Sequence, residues 1–301
     1  MSRFSIFPFS CVTAGPTNLH LPQLENYGLQ MNSQLASLIP GGALDVSVSH
    51  LANAAPALSL QTRDLLTIMN AVGPSSVLPF TAGVGRLQKR TDTGFLTGSD
   101  HEVYDIAKGT LVPMSITGSQ EDTEGATLIV NAVILDDGVN RPIVRQTGQS
   151  LASAPAPAFV SRYYMAPAFI DTVQIPNLVR SSIEFGINYN AKGFNGSTFP
   201  TEGAIIARRP KFKFTTTDAS VDAAVDSFLR VLGGEIRSFF QASVDGSDRI
   251  AAGTTAHIKI SATGGTWNTE DVTAQNEEDG TVTVSVTPNS ILSVSTGSAI
   301  A

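Results

Sequence analysis

A chain of 301 residues, 42% hydrophobic and 15% charged, can bury one large core or two ordinary ones, and it is too apolar to be disordered. The net charge of −7 argues against ordinary nucleic-acid binding, because a phosphate-binding surface needs clustered Lys and Arg. A single cysteine, Cys11, excludes an intramolecular disulfide and so a disulfide-stapled secreted scaffold. No apolar run approaches the length of a membrane-spanning helix, and Ser and Pro interrupt the apolar start, so neither a membrane anchor nor a cleaved signal is expected.

The first part of the chain predicts an N-terminal arm over 1–40, a leading strand near 44–49, a second strand and a helix. Leu58 and Leu60 alternate with polar neighbours, which is typical of a strand with one buried face. Asp64 is a good N-cap residue for a helix. Apolar residues then recur at helical spacing until a glycine and a proline: Leu65, Ile68, Met69, Val72, Gly73 and Pro74. Further strands are predicted near 77–83, 110–117 and 126–135.

Segments of the first half recur in the second half. Three matches share one spacing, since 176 − 22, 210 − 56 and 281 − 127 all equal 154. The matching segments are 19–24 (LHLPQL) with 173–178 (VQIPNL), 56–64 (PALSLQTRD) with 210–218 (PKFKFTTTD), and 127–132 (TLIVNA) with 281–286 (TVTVSV). Two looser matches pair 109–116 with 253–260 and 44–48 with 183–187. Matches in one order predict an internal duplication.

The second half predicts the same elements in the same order. A leading strand near 182–189 precedes an alternating strand with Phe212 and Phe214 on one face, and Asp218 is the N-cap of a second helix. The helical spacing and its glycine ending are carried by Val221, Val225, Phe228, Leu229, Leu232, Gly233 and Gly234. Strands near 235–243, 254–262 and 281–287 follow. The predicted fold is mainly β: two tandem copies of a β-sandwich or half-barrel unit, each with one α-helix.

The domain organisation follows from the duplication. Residues 1–150 form the first domain, residues 151–160 are an Ala/Pro-rich linker that cannot be regular structure throughout, and residues 161–301 form the second domain. An extended segment at about 188–207 has no match in the first half, and long insertions in compact domains are usually functional or interfacial. Its aromatic residues are the candidate contacts between subunits or between stacked rings: Tyr189, Phe194 and Phe199. The alternative is an ordered surface hairpin without a contact role.

The sequence carries no pattern typical of catalysis or of cofactor or metal binding. The four histidines are scattered, no nucleophile elbow or phosphate loop is present, and the run Asp100-His101-Glu102 is best interpreted as an exposed hairpin. Turns are predicted at the glycines Gly41-Gly42, Gly83-Val84-Gly85 and Gly264-Gly265, and solvated hairpin tips at Glu270-Asp271 and Glu277-Glu278-Asp279. We therefore predict that the protein is not an enzyme and takes no cofactor and no metal.

Two further groups of residues have structural interpretations. Trp267 and the pair Phe239-Phe240 are expected in the core or in a contact between subunits. The basic clusters Lys89-Arg90 and Arg208-Arg209-Pro210-Lys211 are interpreted as solvated strand ends. Neither group indicates a ligand site.

The order of elements resembles the tube-forming fold of the tail tube proteins of long-tailed phages. In each half, strands are followed by one helix between strands and by a terminal hairpin, with an extended segment in the second half. The resemblance covers roughly 40–290 and depends on architecture and duplication, because no signature residue can be matched individually. The chain is similar in particular to siphophage proteins in which two tube domains are fused in one chain.

This resemblance implies a structural virion protein, assembled in the host cytoplasm, whose stacked rings form the phage tail tube. A homotrimer of the two-domain chain would give a ring-shaped β-barrel with pseudo-sixfold symmetry, and a hexamer is also possible. An acidic lumen would repel phosphates and let the genome pass without specific binding. The implied partners are further copies of the chain, tail terminator, tip or baseplate, and tape-measure proteins. The alternative is another non-catalytic virion or surface component, such as a decoration, baseplate or adhesin β-sandwich protein. A carbohydrate-binding or hydrolytic β protein is a further alternative, although it would need more exposed aromatic residues than a single tryptophan supplies.

Overall fold

A computed structural model of the chain describes residues 3–13, 18–21, 24–38, 48–91, 94–95, 101–150, 161–194, 196–218, 229–244, 248–273 and 280–300. The described chain is mainly β, as predicted, and contains one α-helix, α1 (Leu65–Ala71). The strands of the first half are β1 (Arg3–Thr13), β2 (Asn18–Leu21), β3 (Leu24–Gln30), β4 (Ser33–Leu38), β5 (Val48–Ala54), β6 (Ala57–Thr62), β7 (Leu78–Thr91), β8 (Gly94–Phe95), β9 (His101–Ile106), β10 (Lys108–Ser119), β11 (Thr127–Leu135) and β12 (Ile143–Gln149). Those of the second half are β13 (Tyr163–Ile170), β14 (Val173–Gln174), β15 (Leu178–Glu184), β16 (Ile187–Lys192), β17 (Glu202–Arg208), β18 (Lys211–Thr216), β19 (Leu229–Val244), β20 (Asp248–Arg249), β21 (His257–Thr273), β22 (Thr281–Thr287) and β23 (Ser293–Ser298).

Eight strands pair side by side in one antiparallel row, which we call the central row. Its order is β3-β6-β11-β10-β15-β18-β22-β21. The row includes strands of both halves, which meet where β10 pairs with β15. Within the described residues the row does not close on itself, so β3 and β21 are its two ends.

Two flanking groups of strands cover one face of the central row. In the first half the pairing runs β2-β1-β7-β9-β12, and in the second half it runs β14-β13-β19-β21-β23. The long strands connect the groups to the row, because β7 also pairs with β10, and β21 belongs to both. The main core lies between these layers and extends through both halves.

The alternating strands carry the side chains that build this core. Leu58 and Leu60 of β6, and Phe212 and Phe214 of β18, are fully buried, while their neighbours along each strand are partly exposed. A strand places successive side chains on opposite faces, so a strict alternation requires one buried and one open face. Both sequence predictions of half-buried strands are confirmed.

The first predicted helix is confirmed with its cap. The carboxylate of Asp64 accepts a hydrogen bond of 3.2 Å from the backbone N–H of Thr67, which satisfies one of the donors left free at a helix start. The helix buries its apolar residues in the core, and Gly73 follows it with a positive φ of 73°. That backbone conformation favours glycine and stops the helix.

The predicted end of the second helix is wrong. Leu229 and Leu232 lie in strand β19, and Gly233 and Gly234 lie inside the same strand, where its pairing with β21 shifts register. Their helical spacing was misleading because pairing with a distant strand overrides local pattern. The other residues of this helix prediction, 219–228, lie outside the described residues.

The leading strand predicted over 182–189 is two strands. β15 ends at Glu184 and β16 begins at Ile187, and the two belong to different sheets. Gly186 between them has a φ of 60°, a conformation that breaks a strand. In the first half, β5 begins at Val48, and the earlier part of the leading-strand prediction, 44–47, lies outside the described residues.

The turn predictions at two glycine pairs are wrong for a common reason. Gly83 and Gly85 lie within β7, where a Cβ on Gly85 would come 2.2 Å from the Tyr27 hydroxyl oxygen. Gly264 and Gly265 lie within β21, beside the register shift opposite β19. Gly83, Gly85 and Gly265 make room for neighbouring atoms instead of reversing the chain. The Gly41-Gly42 prediction lies outside the described residues.

The exposed hairpin predicted at Asp100-His101-Glu102 is wrong for the two described residues, and Glu270-Asp271 is exposed as predicted but lies within a strand and not at a hairpin tip. His101 and Glu102 begin β9 and are 2% and 8% exposed, and Glu270 and Asp271 lie in β21. Charged residues are tolerated there because partners lie opposite: Arg145 holds Glu102 through two hydrogen bonds of 2.6 and 2.9 Å. Glu277-Glu278-Asp279 and the linker 151–160 lie outside the described residues.

Aromatic and basic residues follow the remaining predictions. Trp267, Phe239 and Phe240 are all buried, so the prediction of core positions is confirmed. Arg208 ends β17 and Lys211 begins β18, as predicted for a cluster at strand ends. No helix among the described residues is long and apolar enough to cross a membrane.

Candidate assembly surfaces

The predicted contact segment is a β-hairpin. β16 and β17 pair as a separate two-stranded sheet, from Ile187 opposite Arg208 to Lys192 opposite Glu202. We call these strands and the described residues between them the arm. The alternative interpretation, an ordered hairpin, therefore describes its local structure correctly, whatever its role.

The tip of the arm is fixed to the first half of the chain. The carbonyl of Pro200 accepts a hydrogen bond of 2.7 Å from the backbone N–H of Asp136, and the carbonyl of Thr198 accepts one of 2.9 Å from Ala54. Lys108 Nζ donates to the carbonyl of Thr201 at 3.1 Å. The arm thus bridges the two halves within one chain.

The three aromatic residues predicted as contacts have different environments. The Tyr189 hydroxyl lies 3.0 Å from Thr110 Oγ1, so its polar group is already used inside the chain. Phe199 is half-buried at the tip. Phe194 is 52% exposed and lines a shallow depression with Ile206, which is 60% exposed. Of the three, Phe194 is the residue whose ring is most available to another molecule.

The face of the central row opposite the core is polar; we call it the polar face. One shallow depression on it is lined by residues of β6, β11, β10 and β15, including Gln61, Thr117, Thr127 and Arg180. A second is lined by residues of β15, β18, β22 and β21, including Glu184, Lys213, Thr283 and Asp271. Hydroxyls and charges of both signs therefore cover the junction between the halves.

The lysines of the polar face are held by a carboxylate. Glu270 forms an ion pair with Lys211 and lies 2.9 Å from Lys213 Nζ. Burial would by itself raise the pKa of Glu270, but the hydrogen bonds from Lys211, Lys213 and Ser285 outweigh burial and hold the pKa at about 2. Glu270 therefore stays ionised and neutralises charge that would otherwise attract phosphate.

Glu270→Gln is expected to lower the free energy of unfolding by about 1–2 kcal/mol at pH 7, since it removes two charge-assisted hydrogen bonds at a partly solvated site. The folded-state pKa lies below the ordinary value of 4.5, so the carboxylate stabilises the fold above that pH. This contribution is lost as pH falls from about 4.5 towards 2, and the variant and parent should converge there. Urea denaturation at pH 7, 4 and 3 measures the difference.

Glu202→Gln is the matched control, because Glu202 is exposed in the arm. It should follow the parent at every pH. A Glu270→Gln variant with the same acid dependence as the parent would show that Glu270 does not stabilise the fold.

Both ends of the central row have an edge that no described strand covers. β3 pairs with β6, and β21 pairs beyond its middle with β22; among the described residues neither has a strand on its other side there. Val272 in this part of β21 is 60% exposed. Unpaired edges with an exposed apolar side chain are templates for strand addition.

His257 and Cys11 are two buried titratable groups outside these surfaces. His257 is fully buried; its Nδ1 accepts a hydrogen bond of 3.1 Å from the backbone N–H of Ala242, and its Nε2 lies 3.0 Å from the carbonyl of Ala251. Burial raises the pKa of Cys11 to about 12, which keeps this thiol protonated. No group of three metal-ligating side chains occurs among the residues that the structure describes.

The uncovered strand edges and the matching contacts of two buried histidines were not predicted from the sequence. His101 Nδ1 accepts a hydrogen bond of 3.1 Å from the backbone N–H of Lys89, the same arrangement as His257 with Ala242. A signal was present, because each histidine stands at the same distance before a glycine–threonine pair, Gly109-Thr110 or Gly265-Thr266.

No protein-family model matches the chain, and no curated protein matches it.

Proposed function

We propose that this protein is a structural virion protein that forms the tail tube of a long-tailed phage by stacking of rings. The observation that carries the proposal is the central row: one open, antiparallel sheet built from two similar sets of four strands, with a polar face and two uncovered ends. Such a sheet can be extended by further copies of itself.

Strand positions support the duplication on which the proposal depends. Four correspondences have one spacing: 178 − 24 for β15 and β3, 187 − 33 for β16 and β4, 211 − 57 for β18 and β6, and 281 − 127 for β22 and β11 all equal 154. The pairing is also the same, since β3-β6-β11-β10 corresponds to β15-β18-β22-β21. The proposed domains are 1–150 and 161–301, joined by 151–160.

Side-chain hydrogen bonds support the same duplication. Thr62 Oγ1 accepts a hydrogen bond of 3.1 Å from the backbone N–H of Asp64, and Thr216 Oγ1 accepts one of 3.1 Å from that of Asp218. The spacing of the two threonines, 216 − 62, is again 154. The two buried histidines repeat their contacts at a spacing of 257 − 101 = 156. Independent side chains thus repeat at nearly the same spacing.

On this proposal the arm is no insertion. β4 and β5 form a two-stranded sheet of their own, and each of their four bounds precedes the corresponding bound of β16 or β17 by this same spacing of 154. The sequence match of 44–48 with 183–187 then has the wrong spacing. The match of 109–116 with 253–260 has the wrong spacing as well, because β21 begins only at His257.

The contact between the two halves is of the kind that builds rings. β10 of the first half pairs with β15 of the second half, so two different surfaces meet. Repetition of such a head-to-tail contact gives a closed ring if the rotation closes, and a helical filament otherwise. Three chains would supply six similar units and a pseudo-sixfold ring; a hexamer would supply twelve.

The polar face supports a lumen that does not retain DNA. Lysines attract phosphate, but Lys211 and Lys213 are paired with Glu270. Around them lie three hydroxyl residues, two further carboxylates and one cation, Arg180, so negative charge and hydroxyls outweigh the arginine. The net charge of −7 adds a general repulsion of nucleic acid. The genome would then pass through an acidic, hydroxyl-rich lumen to the host. Tail terminator, tip or baseplate, and tape-measure proteins would be the partners in the tail.

Mass in solution and negative-stain electron microscopy test the proposal. We expect rings or stacked hollow tubes with a ring mass near three times 31.6 kDa. A ring of six chains would keep the tube and overturn the pseudo-sixfold arrangement. A monomer that forms no rings at any concentration would overturn the tube and favour a decoration, baseplate or adhesin role.

A further inference from the structure

The junction between the two halves is a fully formed strand pair. Ser115, Ile116 and Thr117 of β10 lie opposite Glu184, Ile183 and Ser182 of β15. Ile116 and Ile183 are fully buried, and Thr117 Oγ1 lies 3.2 Å from Ser182 Oγ.

The two end strands of the central row, β3 and β21, correspond to β15 and β10, the two strands that meet at this junction. β15 corresponds to β3 at a spacing of 154. The spacing between β10 and β21 follows from their corresponding neighbours, β11 and β22. Ile116 pairs with Leu128, Val272 pairs with Val282, and 282 − 128 is again 154, so Val272 corresponds to Ile116.

A shared irregularity supports this correspondence. The pairing of β10 with β11 shifts register between Pro113 and Ser115, and that of β21 with β22 shifts between Thr269 and Asp271. The two shifts have the spacing of the two strands, since 269 − 113, 271 − 115 and 272 − 116 all equal 156. A β-bulge bends its strand, so the two edges have the same local shape.

The internal junction and the end strands differ in the exposure of the corresponding side chains. Ile116 is 0% exposed, whereas Val272 is 60% exposed. Leu29, which corresponds to Ile183, is only half-buried. The side chains that are covered at the internal junction are therefore open at the two ends of the row.

We propose that β21 of one chain pairs with β3 of a second copy of this chain, antiparallel, with Asp271 opposite Gln30, Val272 opposite Leu29 and Thr273 opposite Gly28. This register rests on the proposed ring and specifies its contact between chains. A second copy is the fitting partner because β10 and β15, which correspond to β21 and β3, already pair with each other at the internal junction. The pairing would extend the central row from chain to chain and bury Val272 against Leu29.

Paired cysteines test the register. Thr273→Cys and Gly28→Cys place two thiols directly opposite each other across the proposed contact, and a Cβ on Gly28 meets nothing within 4 Å, so the fold tolerates it. Mild oxidation of the assembled double variant should give a ladder of covalent products that ends at the closed ring. A 1:1 mixture of the two single variants should give dimers and no longer products.

A shifted pair is the matched control. Asn26→Cys with Thr273→Cys moves one thiol two positions along the same edge and should cross-link at least tenfold more slowly. Cys11 is buried and remains protonated, so it does not contribute. Rings that cross-link no faster through Gly28→Cys than through Asn26→Cys would overturn the register and leave the ring proposal standing. A chain with neither rings nor cross-linked products would overturn both.

A charged residue on the edge gives a second readout. Val272→Lys should abolish ring formation and leave a folded monomer, because position 272 is exposed in the single chain and a lysine on an edge strand opposes pairing. Val139→Lys is the control, since Val139 is 88% exposed between β11 and β12 and belongs to neither end strand. Val272→Lys rings equal in yield to those of Val139→Lys would contradict the proposed contact.

Discussion

Gly186→Ala should destabilise the chain by about 3 kcal/mol or more. Gly186 has a φ of 60°, in the left-handed region that non-glycine residues rarely adopt. A Cβ there would lie 1.9 Å from the carbonyl oxygen of Arg209 and 2.2 Å from its carbonyl carbon, and backbone atoms cannot rotate away. At this point the chain leaves the central row for the arm and passes its own return segment, so relief of the clash would separate β15 from β18. Urea denaturation measures the loss.

Gly253→Ala provides the control for this substitution. A Cβ on Gly253 meets nothing within 4 Å, so the change should remain within about 0.5 kcal/mol of the parent. Equal midpoints for the two variants would show that the close crossing at Arg209 is absent in solution.

Phe212→Ala is expected to cost about 3–5 kcal/mol, the range for removal of a buried aromatic ring. Phe212 is fully buried in β18, lies opposite Ile183 and Val286 in the neighbouring strands, and stacks on Phe214 with ring centroids 6.0 Å apart. The cavity would lie under the centre of the second half, where several strands share the lost contacts. Thermal and urea unfolding should both show the loss.

Phe194→Ala removes the same number of atoms from an exposed site. Phe194 is 52% exposed in the arm, so its loss should change the free energy of unfolding by less than about 1 kcal/mol. If the arm contacts a neighbouring ring, as the sequence predicts, Phe194→Ala should instead shorten the stacks while the rings persist. Comparable destabilisation by the two substitutions would mean that Phe212 is not in a packed core.

In the proposed assembly, the uncovered strand edges of the central row are the contact sites between chains. Among the described residues, the internal junction has two buried isoleucines, and the corresponding side chains at the open ends of the central row are exposed (Val272) or half-buried (Leu29). On the proposed assembly, a second copy of the chain would cover both ends and gain the free energy of burying these side chains.

Local pattern determined the elements whose signal lies within a few positions of the chain. The alternation at Leu58–Leu60 and Phe212–Phe214 predicted β6 and β18 because one face of each strand is buried. The cap at Asp64 and the helical spacing behind it predicted α1. Three matches at one shared spacing indicated a duplication from side-chain character alone.

Tertiary structure decided what depends on distant partners. The turn prediction at Gly83-Val84-Gly85 failed because the Tyr27 ring, which occupies the space beside Gly85, lies far away in sequence. The spacing of 154 between the hairpins β4–β5 and β16–β17 was missed because backbone hydrogen bonds pair the strands whatever their residue types. Whether Val272 is a core residue or an exposed one depends only on which strand lies beside it. Sequence by itself therefore determined the local elements and suggested their repetition, and only the strand pairing decided which edges remain open, because hydrogen bonds between strands join residues that no local pattern connects.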